Sequence, residues 1–221
     1  MFEGFLMFGF VCGVFGAMSV LHLLFNVKTQ KAHRVCCVLH HLLVASLGVF
    51  ASKEACLFGL LLEFGFEISD TLWTVLTNLS WTGLPKSAVF IHHVLSAFLE
   101  AVVITFVISD DSFPFEAVSP FLVILIGSGA VDLIWAKLLD FPRYSTQQYI
   151  ATAIYTFIFF SLRIVWFWTA SMNLMHEISG PQSLVILSRV MFGVFLLYHL
   201  LLGTGIVFAW KHGGKMPEKK Q

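Results

Sequence analysis

The sequence predicts an all-α fold, a polytopic transmembrane bundle of about seven helices, and three observations predict it. Of its 221 residues, 58% are hydrophobic and only 12% are charged, and the mean hydropathy is +0.87. The apolar residues gather into runs close to the roughly 20 residues that a helix needs to cross hydrocarbon. All six prolines, Pro85, Pro114, Pro120, Pro142, Pro181 and Pro217, fall between the runs, in the tail or in the first turn of a run, where a missing N–H donor costs least. A transmembrane barrel would instead show alternating segments of about 10 residues.

Taken in chain order, the runs cover residues 4–26, 35–51, 55–78, 88–108, 116–139, 148–171 and 184–210. The first lacks the basic n-region of a signal peptide and continues past signal-peptide length to Lys28, so it is expected to be a retained helix. The second carries His40 and His41, the fourth His92 and His93, the fifth Asp132 and the sixth Arg163. In the third, Glu63, Glu67 and Asp70 follow the i, i+4, i+7 spacing that lines one face of a helix. The seventh contains no lysine between Arg189 and Trp210, which excludes a retinal Schiff base there. Little chain remains for a separate soluble domain: residues 1–29 read as the first helix and a turn, 30–212 as the main membrane domain and 213–221 as a short basic tail.

Basic residues set the expected orientation, because Lys and Arg beside the spans are retained in the cytoplasm. Lys28, Lys31 and Arg34, then Lys86, then Lys137 and Arg143, then Lys211, Lys215, Lys219 and Lys220 fall on one side, against Lys53 alone on the other. The N-terminus is therefore expected outside or lumenal and the C-terminus cytoplasmic. The sequon Asn78-Leu79-Ser80 would then face the cytoplasm and carry no glycan. Cys12, Cys36, Cys37 and Cys56 lack metal-type spacing and read as packing residues, with palmitoylation near a membrane edge as the functional alternative. No phosphate-cradling glycine loop is present, and a net charge of +0 with a short, mildly basic tail gives no support for nucleic-acid binding. The expected partner is membrane lipid, with a homodimer left open.

The polar residues within the spans carry the functional information, since a charge at that depth costs at least about 2.5 kcal/mol unless it is paired or lines a cavity. The two histidine pairs enter from the same side to a common depth, and Asp70 and Asp132 reach the same leaflet. Arg163 is the expected counter-charge for Glu63, Glu67 and Asp70. Three uses of this set compete. The groups can satisfy one another between helices and fix packing. They can hold a metal, but adjacent histidines diverge by about 100° around a helix and cannot both ligate one ion, so no metal is expected. Or a histidine beside a carboxylate can act as general base at a lipid headgroup.

Several stretches, in order, complete the picture. Residues 34–41, Gly65-Phe66-Glu67-Ile68-Ser69-Asp70, Phe90-Ile91-His92-His93-Val94-Leu95, Glu116-Ala117-Val118-Ser119-Pro120-Phe121 and Phe160-Ser161-Leu162-Arg163 together resemble the TLC (TRAM, LAG, CLN) domain, over about residues 30–212. The resemblance implies a helical membrane domain of the endoplasmic reticulum or plasma membrane. Family members synthesise ceramide, regulate membrane lipid composition or assist trafficking. It carries the family's early histidine to His41, its glycine–aromatic–aspartate element to Gly65, Phe66 and Asp70, its histidine pair to His92 and His93, its Glu-x-x-Ser to Glu116 and Ser119, and its late arginine to Arg163. The chain departs from the ceramide synthases in two places. Gly127-Ser128-Gly129-Ala130-Val131-Asp132 keeps only the last acid of their second acidic element, and Val38 stands where a serine precedes the early histidine. It is more similar to the short TLC-domain proteins.

The expectation is thus a protein of membrane lipid homeostasis or lipid sensing that binds a lipid or acyl chain within the bundle through His41, Asp70, His92, His93, Glu116, Asp132 and Arg163. If it is an enzyme, it is a lipid acyltransferase with His92 or His93 as base, Asp70 orienting it and acyl-CoA as co-substrate; otherwise no cofactor is expected. A small-solute transporter and a lipid or cargo escort are the remaining alternatives.

Overall fold

A computed structural model describes residues 2–24, 30–50, 52–77, 86–109, 113–123, 127–134, 141–178 and 181–215. Asn78, Lys28, Lys137, Pro85 and the lysines beyond residue 215 lie outside the described residues, as does the side chain of Asp132.

Among the described residues the secondary structure is helical, with no strand. The first four helices are α1 (Phe2–Leu24), α2 (Gln30–Val49), α3 (Lys53–Thr77) and α4 (Lys86–Ser109). A 3₁₀ turn at Phe115–Ala117 leads into α5 (Val118–Phe121), and α6 covers Gly127–Leu133. The fifth run thus begins as expected, while the join at 124–126 lies outside the described residues. Helix α7 (Thr146–Ile158) passes through a π-helical segment, Phe159–Trp166, into α8 (Phe167–Glu177). The three form one helix of 32 residues, and α9 (Gln182–Lys211) follows.

Local chemistry explains these limits. Ser145 sits in extended backbone (φ −76°, ψ 152°) and its hydroxyl accepts from the Gln148 N–H at 3.1 Å, capping one of the helix's orphan donors. Helix α8 runs past the expected end at residue 171 because no breaker intervenes before Ile178, which turns extended (ψ 112°) ahead of Pro181. At the far end of α9, Gly213 and Gly214 take left-handed backbone (φ 76° and 80°). The Gly214 N–H then reaches back to the Ala209 carbonyl at 2.8 Å, a Schellman closure that requires φ > 0. This turn is pinned to the start of α7: the Gln148 amide donates to the Gly214 carbonyl at 2.7 Å, Arg143 Nη1 donates to the His212 carbonyl at 3.1 Å, and the Tyr144 N–H donates to the Gly213 carbonyl at 3.1 Å.

Helix α3 is the hub. It packs against α1, α2 and α4, while α2 lies on α6 and α4 lies on α9, which also contacts the π segment and α8. The Ser69 hydroxyl donates to the Val11 carbonyl at 3.3 Å, tying α3 to α1. The Ser119 hydroxyl donates to the Gly48 carbonyl at 2.7 Å and ties α5 to α2. The main apolar core joins Val44 of α2, Leu60 of α3, Leu99 and Val103 of α4, Leu122 beyond α5, Phe167 of α8 and Phe195 of α9.

Much of the outside of this bundle is apolar. Phe5 and Phe157 are 72% and 74% exposed, with Phe8, Leu76, Trp166 and Leu201 among many others also exposed. Thr146–Glu177 and Gln182–Lys211 are long and apolar enough to cross a membrane, and only 28% and 22% of their most apolar stretches are buried within the protein. Shorter apolar helices span Phe5–Val20, Cys37–Val49 and Phe90–Phe106.

Candidate functional site: a buried histidine and carboxylate cluster

The polar groups converge where α2, α3, α4, the π segment and α9 meet. Their placement begins with helical spacing. Glu63, Glu67 and Asp70 share one face of α3 and are 3%, 4% and 0% exposed. On α4, His93 and Glu100 stand seven residues apart, two turns along one face, and are buried as well. These two stripes face each other.

His93 is held by a defined set of bonds. The Thr71 hydroxyl donates to the Glu67 carbonyl at 2.8 Å, which uses its only proton. Thr71 Oγ1 must therefore accept from His93 Nδ1 at 2.9 Å. His93 Nδ1 is also 3.2 Å from the Glu67 carbonyl and 3.4 Å from Glu67 Oε2. With Nδ1 protonated, His93 Nε2 points its remaining site at Asp70 Oδ2, 3.5 Å away. The two atoms can only attract through a proton held by one of them. A histidine oriented on one nitrogen, with a carboxylate opposite the other, is an arrangement able to move a proton.

Adjacent histidines diverge as helical geometry demands. The His92 and His93 rings are 5.5 Å apart at 66°. While His93 turns to α3, His92 stacks on Phe195 and Tyr198 of α9 at 5.3 and 5.2 Å, its Nε2 lying 3.9 Å from Glu67 Oε1. The other pair behaves likewise. His40 stacks on Phe66 at 3.9 Å and its Nε2 is 2.6 Å from Glu63 Oε2. His41 stands edge-on to Phe66, and its Nδ1–H donates to the Cys37 carbonyl at 2.7 Å. Its Nε2 edge lies against Gly129 of α6. A Cβ on that glycine would be 2.4 Å from His41 Cδ2 and 3.1 Å from Arg163 Nη2, so the missing side chain lets both groups approach.

Arg163 is buried on the π segment, a departure from α-helical winding that sequence spacing did not anticipate. Its Nη1 donates to His199 Nε2 at 2.8 Å, and His199 Nδ1–H donates to the Phe195 carbonyl at 3.0 Å. The carbonyl can only accept, so His199 is in the neutral tautomer with its lone pair toward the guanidinium. The expected counter-ion for the acidic stripe thus has a histidine of α9 as a partner.

The structure therefore brings together His41, Asp70, His92, His93 and Arg163 of the sequence-derived set. Glu116 is exposed on the 3₁₀ turn and joins no hydrogen bond or ion pair among the described residues. Ser119, three residues on, serves the α2–α5 packing already described. Sequence reading missed Glu100 and His199. Both were signalled by the rule that any ionisable residue within a span is a site candidate, and Glu100 also by its two-turn offset from His93.

A cavity of about 430 Å³ opens between α8 and α9, lined by Phe167, Ser171, Met175, Arg189, Phe192 and Leu196 among others. It lies beside the cluster. Phe167, one of its walls, packs on Phe195 at 5.7 Å and on His199 at 5.2 Å. An aromatic partition thus divides the groove from the polar groups. Comparison of the chain with known family models, curated proteins and solved structures finds no match.

Proposed function

We propose that the chain spans a membrane as a seven-helix, TLC-like bundle, N-terminus outside or lumenal, and acts in membrane lipid homeostasis or lipid sensing in the endoplasmic reticulum or plasma membrane. The observation that carries this reading is the burial of His93, His199, four acids and Arg163, with His40, His41 and His92 partly buried beside them, inside a bundle whose outer surface is largely apolar. A folded protein in water does not expose so much contiguous apolar surface, and lipid does not tolerate so many buried ionisable groups unless they serve one another or a ligand. The groove between α8 and α9 suits an acyl chain, with Arg189 and His176 at its lining for an anionic headgroup.

The test is lipid profiling of cells expressing wild type and the His92→Ala/His93→Ala variant at matched levels. A lipid class that shifts with wild type alone supports the reading. Identical profiles at equal expression reject it in favour of an escort or packing role.

One observation favours acyl transfer as a second reading: His93 is fixed through Nδ1 with Nε2 toward Asp70, a histidine–carboxylate pair able to pass a proton between them. Purified protein given an acyl-CoA and a candidate acceptor lipid would then release CoA, and Asp70→Asn would slow that release by about 100-fold or more. CoA release unaffected by Asp70→Asn or His93→Ala would reject it.

A further inference from the structure

The acids of the cluster form a set of their own. Glu63 and Glu67 stand one turn apart on α3, and Glu100 reaches them from α4. One carboxylate oxygen of each lies within 4.8 Å of the other two. Glu100 is 2% exposed, and its Oε1 accepts from the Ser96 hydroxyl at 3.2 Å while its Oε2 is buried with no hydrogen-bond partner among the described residues. Glu67 Oε2 is likewise buried without one; the nearby His93 Nδ1 proton, 3.4 Å away, is given to Thr71. Glu63 differs, since His40 Nε2 lies 2.6 Å from its Oε2. Among the described residues, two buried carboxylate oxygens from different helices thus lack a donor, where an unmet acceptor is expensive.

We propose that Glu63, Glu67 and Glu100 bind a divalent cation of the Mn²⁺ or Zn²⁺ class. Ligand oxygens around an ion at about 2.1 Å are separated by roughly 3 to 4.2 Å, so the three acids close on one ion with about 1 Å of side-chain movement. The i, i+4 spacing that the adjacent histidines fail to meet is met by Glu63 and Glu67. His92 Nε2 lies 3.9 Å from Glu67 Oε1, beside the group rather than within it, so the ligands are the three carboxylates, which Mn²⁺ and Zn²⁺ both accept. His40 serves as the outer partner, donating to Glu63 and fixing its orientation. Helix bundles commonly build ion sites this way, from acids that face one another across the core. The site stands whether or not the chain handles lipid.

The experiment uses the full chain purified in detergent, stripped with EDTA, loaded with MnCl₂ or ZnCl₂ and gel-filtered before metal analysis. Wild type is expected to retain about one ion per chain, and Glu67→Gln or Glu100→Gln to bind at least ~100-fold more weakly. The exposed Glu54→Gln should bind like wild type. Wild-type protein that retains no more metal than the Gln variants overturns the proposal, as does full retention by both variants. If a Gln variant does not fold, wild type alone decides. A Tm that rises with the ion and falls back with EDTA upholds the site, and a Tm indifferent to both overturns it.

Discussion

Gly129→Ala tests the tightest point of the buried cluster. A methyl group there would sit 2.4 Å from His41 Cδ2 and 2.7 Å from His41 Nε2, closer than atoms approach without displacement. The His41 ring cannot simply swing aside. Its Nδ1–H is bound to the Cys37 carbonyl at 2.7 Å, and Phe66 stands against its other side at 5.7 Å. Overpacking of this kind costs about 1–3 kcal/mol, and loss of the hydrogen bond adds about 1 kcal/mol. The better helix propensity of alanine returns about 1 kcal/mol. The net expectation is a destabilisation of about 2 kcal/mol, or roughly 4–8 °C in Tm for a chain of this size. Thermal unfolding in detergent reads it, with Gly13→Ala as the reference, because no atom of the described residues lies within 4 Å of a Cβ at Gly13. Gly13→Ala should leave Tm unchanged or raise it. A second-site change, His41→Ala, should cancel most of the Gly129→Ala penalty in a double-mutant cycle. If Gly129→Ala melts no lower than wild type, or the two changes add independently, the packing of α6 on His41 is wrong.

Other positions make separate demands. Gly213→Ala places a Cβ 2.8 Å from the Tyr144 backbone nitrogen at φ 76°, which should cost about 1–2 kcal/mol in left-handed strain alone and show as faster proteolysis of the C-terminal turn. His199→Ala leaves the Arg163 Nη1 donor without its imidazole acceptor. A loss of about 3 kcal/mol is expected, read as a lower denaturation midpoint, and His199→Gln should recover part of it. Phe195→Ala removes a ring that packs on His92, Phe167 and His199. It should cost about 3–5 kcal/mol and, by opening the partition, let an apolar dye bound in the α8–α9 groove quench on the histidine cluster. A stability loss with no change in dye behaviour would mean the partition does not separate the two spaces.

Much of this architecture was legible from composition and periodicity, because each of those signals is local. The apolar runs located the helical segments, most described ends falling within about two residues, with α2 starting earlier, α8 ending later and the fifth run described as separate short helices. The spacing of Glu63, Glu67 and Asp70 placed them on one face, since 3.6 residues per turn leaves no other arrangement. The divergence of His40 from His41, and of His92 from His93, followed from the same geometry. Ser145 before α7 and Gly213-Gly214 after α9 are local signals too, although the limits of the runs were set from hydropathy alone. The π winding at Phe159–Trp166 was not, because it depends on what the helix packs against and leaves no mark in hydrophobic spacing.

By itself, then, the sequence determined an all-helical chain, the faces its helices must bury and the presence of ionisable groups among apolar runs. These follow from covalent geometry and the cost of wetting apolar side chains, both properties of a few neighbouring residues. The tertiary structure alone decided which groups meet. It set Glu100 of α4 against Glu63 and Glu67 of α3, gave Arg163 the lone pair of His199, brought His41 and Arg163 together over Gly129, and put the cavity behind Phe167. Such pairings arise between helices far apart in the chain, where contact is governed by how whole side-chain surfaces interlock, and no local period records them.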